Sequence, residues 1–168
     1  IHGTDWRQWP EELRDPCSTA AEEFAAAQAE RVEFFEWLQW TAQQQLSAAQ
    51  TVAEEAGMGI GVLADLAVGV GKTSAETWLM GDVYAPGITV GAPPDQYNQG
   101  GQDWGQPPWN PLKLEELEYE PFRAMVRAAL NRVGGLRIDH IIGLFRLWWV
   151  PEGLGPSAGT YVRYNHEA

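Results

Sequence analysis

The chain has 168 residues, enough for one domain with a packed core. Against 23 acidic residues stand only 11 Lys and Arg, a net charge of -12, which sets the chain against nucleic-acid backbones and anionic membrane surfaces. Cys17 is the single cysteine, so an internal disulfide and a thiolate metal cluster are excluded, and the best apolar run, Ile141 to Val150, contains Arg146 and falls well short of the ~20 residues that cross a bilayer.

A reducing cytoplasm is therefore the expected setting. A start at Ile1 and a stop at Ala168 without any capping pattern read as an excerpt from a longer chain. Nine tryptophans stand out. They suit a core, and they also suit the flat apolar faces of sugars, whose polar edges are left to hydrogen-bond.

Residues 1–15 are polar and carry Trp6, Trp9 and Pro10, which reads as a loop. Asp15-Pro16 is a helix-start signal. From Ser18 to Ala56 there is no Pro or Gly, and Phe35, Leu38, Ala42, Leu46, Ala49, Ala53 and Ala56 keep to steps of three and four. That spacing predicts an amphipathic helix, with a break near Ala29 to Arg31 and Gly57 as terminator. Ile60 to Leu66 reads as a buried strand. Residues 67–120 hold Pro86, Pro93, Pro94, Pro107, Pro108 and Pro111 with many glycines, and predict a long functional loop region with few regular elements. Pro121 opens a second helix through Val133, closed by Gly134-Gly135. A strand follows over Leu136 to His140, and a Gly-rich tail revives at Tyr161-Val162-Arg163-Tyr164. Helix and strand in alternation imply parallel strands with helices outside. Asp65 and Asp139 fall at the ends of the two expected strands, where a parallel barrel carries its active site. A doubly wound open sheet satisfies the same local pattern.

In a strand over 136–140, Leu136, Ile138 and His140 share one face, and Arg137 shares the other with Asp139. A permanent cation beside a carboxylate favours the ionised form that a nucleophile needs. An ordinary ion pair at a strand end fits the same spacing.

Gly69-Val70-Gly71-Lys72-Thr73-Ser74 invites a phosphate-loop reading and fails it. The first required glycine falls on Leu66, and no long helix follows Thr73. The stretch reads as a turn. The loop from Gly91 to Trp109 instead sets Asp95, Gln102, Trp104 and Gly105 among prolines, a mixture of acid, amide and aromatic groups that suits a polyhydroxylated ligand. A rigid surface loop whose Asp and Asn serve turns is the plainer alternative.

Three separated motifs then coincide: Gly91-Ala92-Pro93-Pro94-Asp95, Gly101-Gln102-Asp103-Trp104-Gly105-Gln106-Pro107-Pro108, and Leu136-Arg137-Ile138-Asp139-His140 running on to Trp148-Trp149-Val150-Pro151. In this order they resemble the 4-alpha-glucanotransferases, or amylomaltases, and the likeness runs from about Phe34 to Tyr164. The resemblance implies an α/β fold, part of a (β/α)8 TIM barrel with long βα-loop insertions, so that residues 1–168 form a partial catalytic domain and 67–120 its active-site loops. It implies retaining transfer of alpha-1,4-glucan segments between maltooligosaccharides, with Asp139 as nucleophile and Arg137 keeping it ionised. Asp65, Asp95, Gln102, Trp104, Gly105 and His140 match substrate-binding positions. No metal or organic cofactor is implied. Retaining chemistry needs a second carboxyl about 5 Å from the first, and neither Glu152 nor Glu167 sits in the family's acid motif, so this stretch alone is expected to be inactive. An alpha-amylase-type hydrolase and a non-catalytic glucan-binding protein are the competing expectations.

Overall fold

A computed structural model of the protein describes residues 2–165; Glu167 therefore lies outside the described residues. In chain order the elements are α1 (Glu11–Arg14), α2 (Thr19–Ala27), α3 (Ala29–Glu55), β1 (Leu63–Leu66), α4 (Ala75–Leu79), β2 (Ile88–Ala92), β3 (Gln102–Gln106), α5 (Pro111–Glu116), α6 (Glu120–Leu130), β4 (Gly135–Ile138), β5 (Arg146–Pro151) and β6 (Thr160–Arg163), with short 3-10 turns between them. They divide into two compact units. One comprises Trp9–Leu66 and Arg123–Asp139, and the other the described parts of Ile1–Gln8, Ala67–Phe122 and His140–Ala168.

The first unit is built on α3. The expected cap at Asp15 is displaced: its carboxylate accepts the Cys17 N–H in a turn (2.9 Å), and Ser18 caps α2 by accepting the Ala21 N–H (3.1 Å). A serine hydroxyl after the proline serves the first orphan amides better than a carboxylate already engaged in its own turn. The anticipated break falls at Gln28, between α2 and α3. Gly57 ends α3 in the left-handed region, φ +82, donating to the Glu54 carbonyl while Met58 reaches back to Ala53. This double return satisfies carbonyls that the helix leaves open.

Gln50 then ties α3 to the next segment. Its side-chain oxygen accepts the Val62 N–H at 2.7 Å, and its amide donates to the Ile60 carbonyl at 3.1 Å. Backbone groups of residues 60 and 62 are thus taken by a side chain, and β1 begins only at Leu63. It is also more open than expected: Leu66 alone is buried. On its other side Arg132 donates to Ser47 (2.9 Å) and Gln43 (3.3 Å), fixing the segment after α6 against α3. β1 and β4 pair in parallel with Leu63 opposite Gly135 and Asp65 opposite Arg137. Gly134 donates to the Val62 carbonyl, and a Cβ there would overlap the Ile60 carbonyl oxygen, so only glycine permits the approach.

The second unit departs from the sequence expectation. Residues 67–120 hold α4, α5 and two strands rather than a largely irregular loop. β2 and β3 join β5 and β6 in an antiparallel sheet of order β3-β2-β5-β6. The expectation of parallel pairing holds for β1–β4 only. Proline and glycine mark the ends of these strands and a bulge between Val90 and Gly91, a normal use of such residues in short strands. Val90, Leu147 and Tyr164 form the core, with Trp104, Trp109 and Trp149 packed against it. Burial pushes the Tyr164 and Tyr84 phenols up to about 12. Gly69 to Ser74 is a turn as expected, with Ser74 capping the five-residue α4 and Lys72 paired to Glu152.

At the bulge a Cβ on Gly91 would overlap the Gln102 carbonyl oxygen, and Val150 stands on another side. Gly91→Ala should therefore destabilise the protein by about 1–3 kcal/mol, the usual cost of overpacking. Gly81→Ala, with open space around its Cβ, should stay within about 0.5 kcal/mol. Equilibrium denaturation of both variants checks the pair; equal effects would mean that the sheet relaxes around a methyl group at 91.

Candidate active site

The residues singled out from the sequence fall into two groups, one on each unit. On the parallel pair, Asp65 is the third residue of β1 and lies opposite Arg137 of β4. The Arg137 guanidinium donates from Nε to Asp65 Oδ1 at 2.6 Å and from Nη2 to Oδ2 at 3.0 Å. This is the two-pronged geometry that a planar guanidinium and a carboxylate favour. Both side chains are open to solvent, at 69% and 62% exposure. β4 stops at Ile138, so Asp139 and His140 lie in the bend beyond it. The side-chain alternation expected over 136–140 is thus interrupted before Asp139.

The sequence sets Asp65 and Asp139 at the ends of the two strands, and the structure places Asp65 one residue before the end of β1 and Asp139 directly after β4. In register, Asp65 is matched to Arg137, two residues before Asp139. Parallel pairing of two strands with similar flanks carried that information, but only once the register was known.

His140 takes a left-handed backbone, φ 50 and ψ 48, which opens a 3-10 turn over Ile141–Leu144. Few residues with a Cβ adopt it, and such strain is concentrated where a side chain has to be aimed. Its ring meets Trp104 edge-on, with centroids 4.9 Å apart and planes at 86°. Trp104 comes from β3, where its Nε1–H donates to the Gln102 side-chain oxygen at 3.0 Å. Gly105 follows at φ +68, its N–H donating to Asp103 at 2.8 Å. Gln102, Trp104 and His140 therefore form one continuous contact chain within the second unit. The Trp104–His140 contact was missed from sequence; no local signal links a β3 residue to one 36 positions away.

Asp95 is an exposed turn residue: Oδ1 accepts the N–H groups of Tyr97 (2.7 Å) and Asn98 (2.6 Å). This is the turn role weighed as the plainer alternative, and it leaves Oδ2 for other hydrogen bonds. Tyr97 at the tip is 91% exposed. Among the described residues no group of three or more His, Cys, Asp or Glu could hold a metal ion, and no helix is long and apolar enough to cross a membrane.

The model of the family described as 4-alpha-glucanotransferase, glycoside hydrolase family 77, matches residues 1–168. The chain belongs to this family. It is 54% identical over 167 residues to the 4-alpha-glucanotransferase of Mycobacterium tuberculosis H37Rv, covering 99% of this chain and 23% of that protein. It is 40% identical over 159 residues to the Haemophilus influenzae 4-alpha-glucanotransferase, covering 95% and 23%. The chain thus spans about a quarter of the length of these curated family members. The structure resembles the amylomaltase of Corynebacterium glutamicum with a TM-score of 0.80 and 50% identity, over 83% of this chain and 20% of that one. It shares the fold of the Streptococcus agalactiae amylomaltase, solved with acarbose, at a TM-score of 0.84 and 21% identity, over 95% and 34%.

The exposure of both partners sets the stability of the Asp65–Arg137 pair. Arg137→Ala and Asp65→Asn should each change the unfolding free energy by less than about 1 kcal/mol, as exposed pairs do. A loss of several kcal/mol by chemical denaturation would identify a pair cut off from water.

Trp104 is a different case, because it packs on Val90, Leu147 and Tyr164. Trp104→Ala should cost about 2 kcal/mol, less than the ~3–5 kcal/mol of a fully buried tryptophan. Tyr97→Ala should cost under about 0.5 kcal/mol. Thermal unfolding compares the two, and equal effects would remove Trp104 from the core.

Proposed function

We propose that the full-length protein is a retaining 4-alpha-glucanotransferase that moves alpha-1,4-glucan segments between maltooligosaccharides. In this reading the chain supplies part of a cytoplasmic protein's (β/α)8 barrel, with residues 67–120 as the active-site loops. The observation that carries it is the Asp65–Arg137 ion pair on adjacent parallel strands, directly before Asp139, in a chain matched by the family model from end to end.

Asp139 is the nucleophile of the proposed scheme. Its carboxylate forms a bond to the anomeric carbon of the donor as the glycosidic C–O bond breaks. The departing oxygen takes a proton from a carboxylic acid on the other side of the bond, and a glucosyl ester on Asp139 results. The hydroxyl of an acceptor glucan then attacks the same carbon, returns its proton to that second carboxylate and releases Asp139. We place the second carboxyl outside these 168 residues, which makes the stretch inactive by itself. Glu152 is a poor substitute, since it is paired with Lys72 at 3.3 Å.

Arg137 has two tasks in this scheme. It sets a permanent positive charge two residues before the proposed nucleophile. Its bidentate hold on Asp65 fixes the guanidinium plane, so the charge stays where it acts. His140, Gln102, Trp104, Gly105 and Asp95 line the glucan subsites. Trp104 offers its ring to a sugar face, Gln102 and Asp95 offer hydrogen bonds to hydroxyls, and the contact with Trp104 sets the aim of His140. The scheme uses no metal and no organic cofactor.

Full-length protein incubated with maltotriose should release glucose together with longer maltooligosaccharides. Asp139→Asn should lower that rate by on the order of 10⁴-fold or more, as removal of a covalent nucleophile does, while glucan binding persists. Product analysis by chromatography checks both. Glucose and maltose without longer products would make the protein an amylase-type hydrolase. A wild-type protein that binds glucan but turns nothing over would make it a binding protein.

A further inference from the structure

Wholly within the second unit, and lined by none of the side chains given a role above, lies a cavity of about 310 Å³. Its lining includes Trp6 and Arg7 of the amino-terminal turn, Lys72 and Thr77, and Tyr84 and Glu152. We propose that this cavity is a second binding site, which takes a neutral, hydroxyl-rich ring the size of one glucosyl unit.

The walls are tied together by contacts between distant parts of the chain. Trp6 Nε1 donates to Thr77 Oγ1 at 3.1 Å across 71 residues. Thr77 is buried and sits on α4, whose Ser74 cap accepts the Thr77 N–H. Glu152 donates its backbone N–H to the Gly87 carbonyl at 2.8 Å, while its Oε1 accepts from Lys72 Nζ at 3.3 Å across 80 residues. The indole is thereby held by a side-chain bond, and Glu152, anchored by its main chain, holds the Lys72 ammonium in turn.

Charge selects the ligand class. Lys72 is neutralised by Glu152, and Arg7 by Asp5, which Nε and Nη2 of Arg7 both reach at 2.8 Å. Those hydrogen bonds hold the Asp5 carboxyl down to about 2. With both cations matched by carboxylates, neither an anion nor a cation finds an uncompensated charge in these two pairs. A neutral ligand needs none. Each pair nonetheless keeps hydrogen-bonding capacity: two further N–H donors on Lys72, Oε2 of Glu152 and Nη1 of Arg7. Donors and an acceptor side by side match the vicinal hydroxyls of a sugar, and Trp6 supplies the apolar surface on which a ring rests. The volume is at the small end for ligand pockets, so it holds one ring and not a chain of them.

The choice of a glucosyl ring rests on the glucan reading above, whereas the neutral polyol class rests on the cavity alone. Glucose, maltose and maltotriose are titrated calorimetrically into full-length Asp139→Asn protein and into the same protein carrying Lys72→Ala and Glu152→Ala. Both added substitutions are at half-exposed side chains and should leave the thermal midpoint close to the parent's. Two classes of site are expected in the first protein, and one class should weaken at least tenfold in the second. On the wild-type background, Glu152→Ala alone, which lies outside residues 67–120, should leave the maltotriose transfer rate within twofold. A single class of site in the first protein, or an isotherm that the two substitutions do not change, overturns the proposal. So does a parallel collapse of binding and transfer, which would make the pair a support of the transfer site. If wild-type protein shows no transfer at all, the glucan reading fails on that assay, and the glucose isotherm still decides the cavity.

Discussion

The register of one short parallel pair governs what the first unit can present. With Leu63 opposite Gly135, Asp65 falls opposite Arg137 and the two side chains meet in a bidentate ion pair. A slip by one residue would send Arg137 to the far face and leave Asp65 unpaired. The register is held by groups outside the strands. Gln50 occupies the backbone of residues 60 and 62, Gly134 donates to the Val62 carbonyl at a distance that excludes any Cβ, and Arg132 anchors the approach to β4 on α3. The helix is thus less a cover for the strands than the frame that sets their alignment.

The second unit solves a related problem by a different route. Its sheet is antiparallel, and its inner strand β2 sits between β3 and β5. Close approach at Gly91 lets β3 bend, and the bend delivers Trp104 both to the core and to His140. A ring used in this way is fixed on one side by packing and available on another. Core packing therefore does not compete with the sugar-platform role proposed for it. His140 is restrained in turn by its left-handed backbone, so its direction is set twice, once by the main chain and once by Trp104.

The helical framework was legible from sequence because its signals are local. The three-and-four spacing, the break near residue 28 and the terminating Gly57 are all properties of neighbours within a few positions. The antiparallel sheet was not. Ile88-Thr89-Val90-Gly91-Ala92 and Gln102-Asp103-Trp104-Gly105-Gln106 carry no clean alternation, and each becomes a strand through partners far along the chain, as β2 does with β5. The candidate residues were recognised by motif, yet their contacts were not, since Asp65–Arg137 spans 72 positions and follows from register alone. The cap at Ser18 shows the same limit on a smaller scale: Asp15-Pro16 is a good start signal, and a turn claimed its carboxylate first.

An ion pair that adds little to stability can still matter to chemistry, and Asp65–Arg137 illustrates why. Two unit charges at 4 Å attract by about 1 kcal/mol in water and by about 4 kcal/mol at an effective dielectric of ~20. Open to solvent, the pair sits near the weaker limit, and the entropy of holding two long side chains offsets much of it. A bound glucan would displace water from the same charges and move them toward the stronger limit. On the proposed assignment of Asp139 as nucleophile, the guanidinium two residues before it would then act most strongly with substrate present, and least when the site is empty. On the proposed reading such an arrangement would act in the reacting complex rather than in the folded state, which is where differential binding raises a rate.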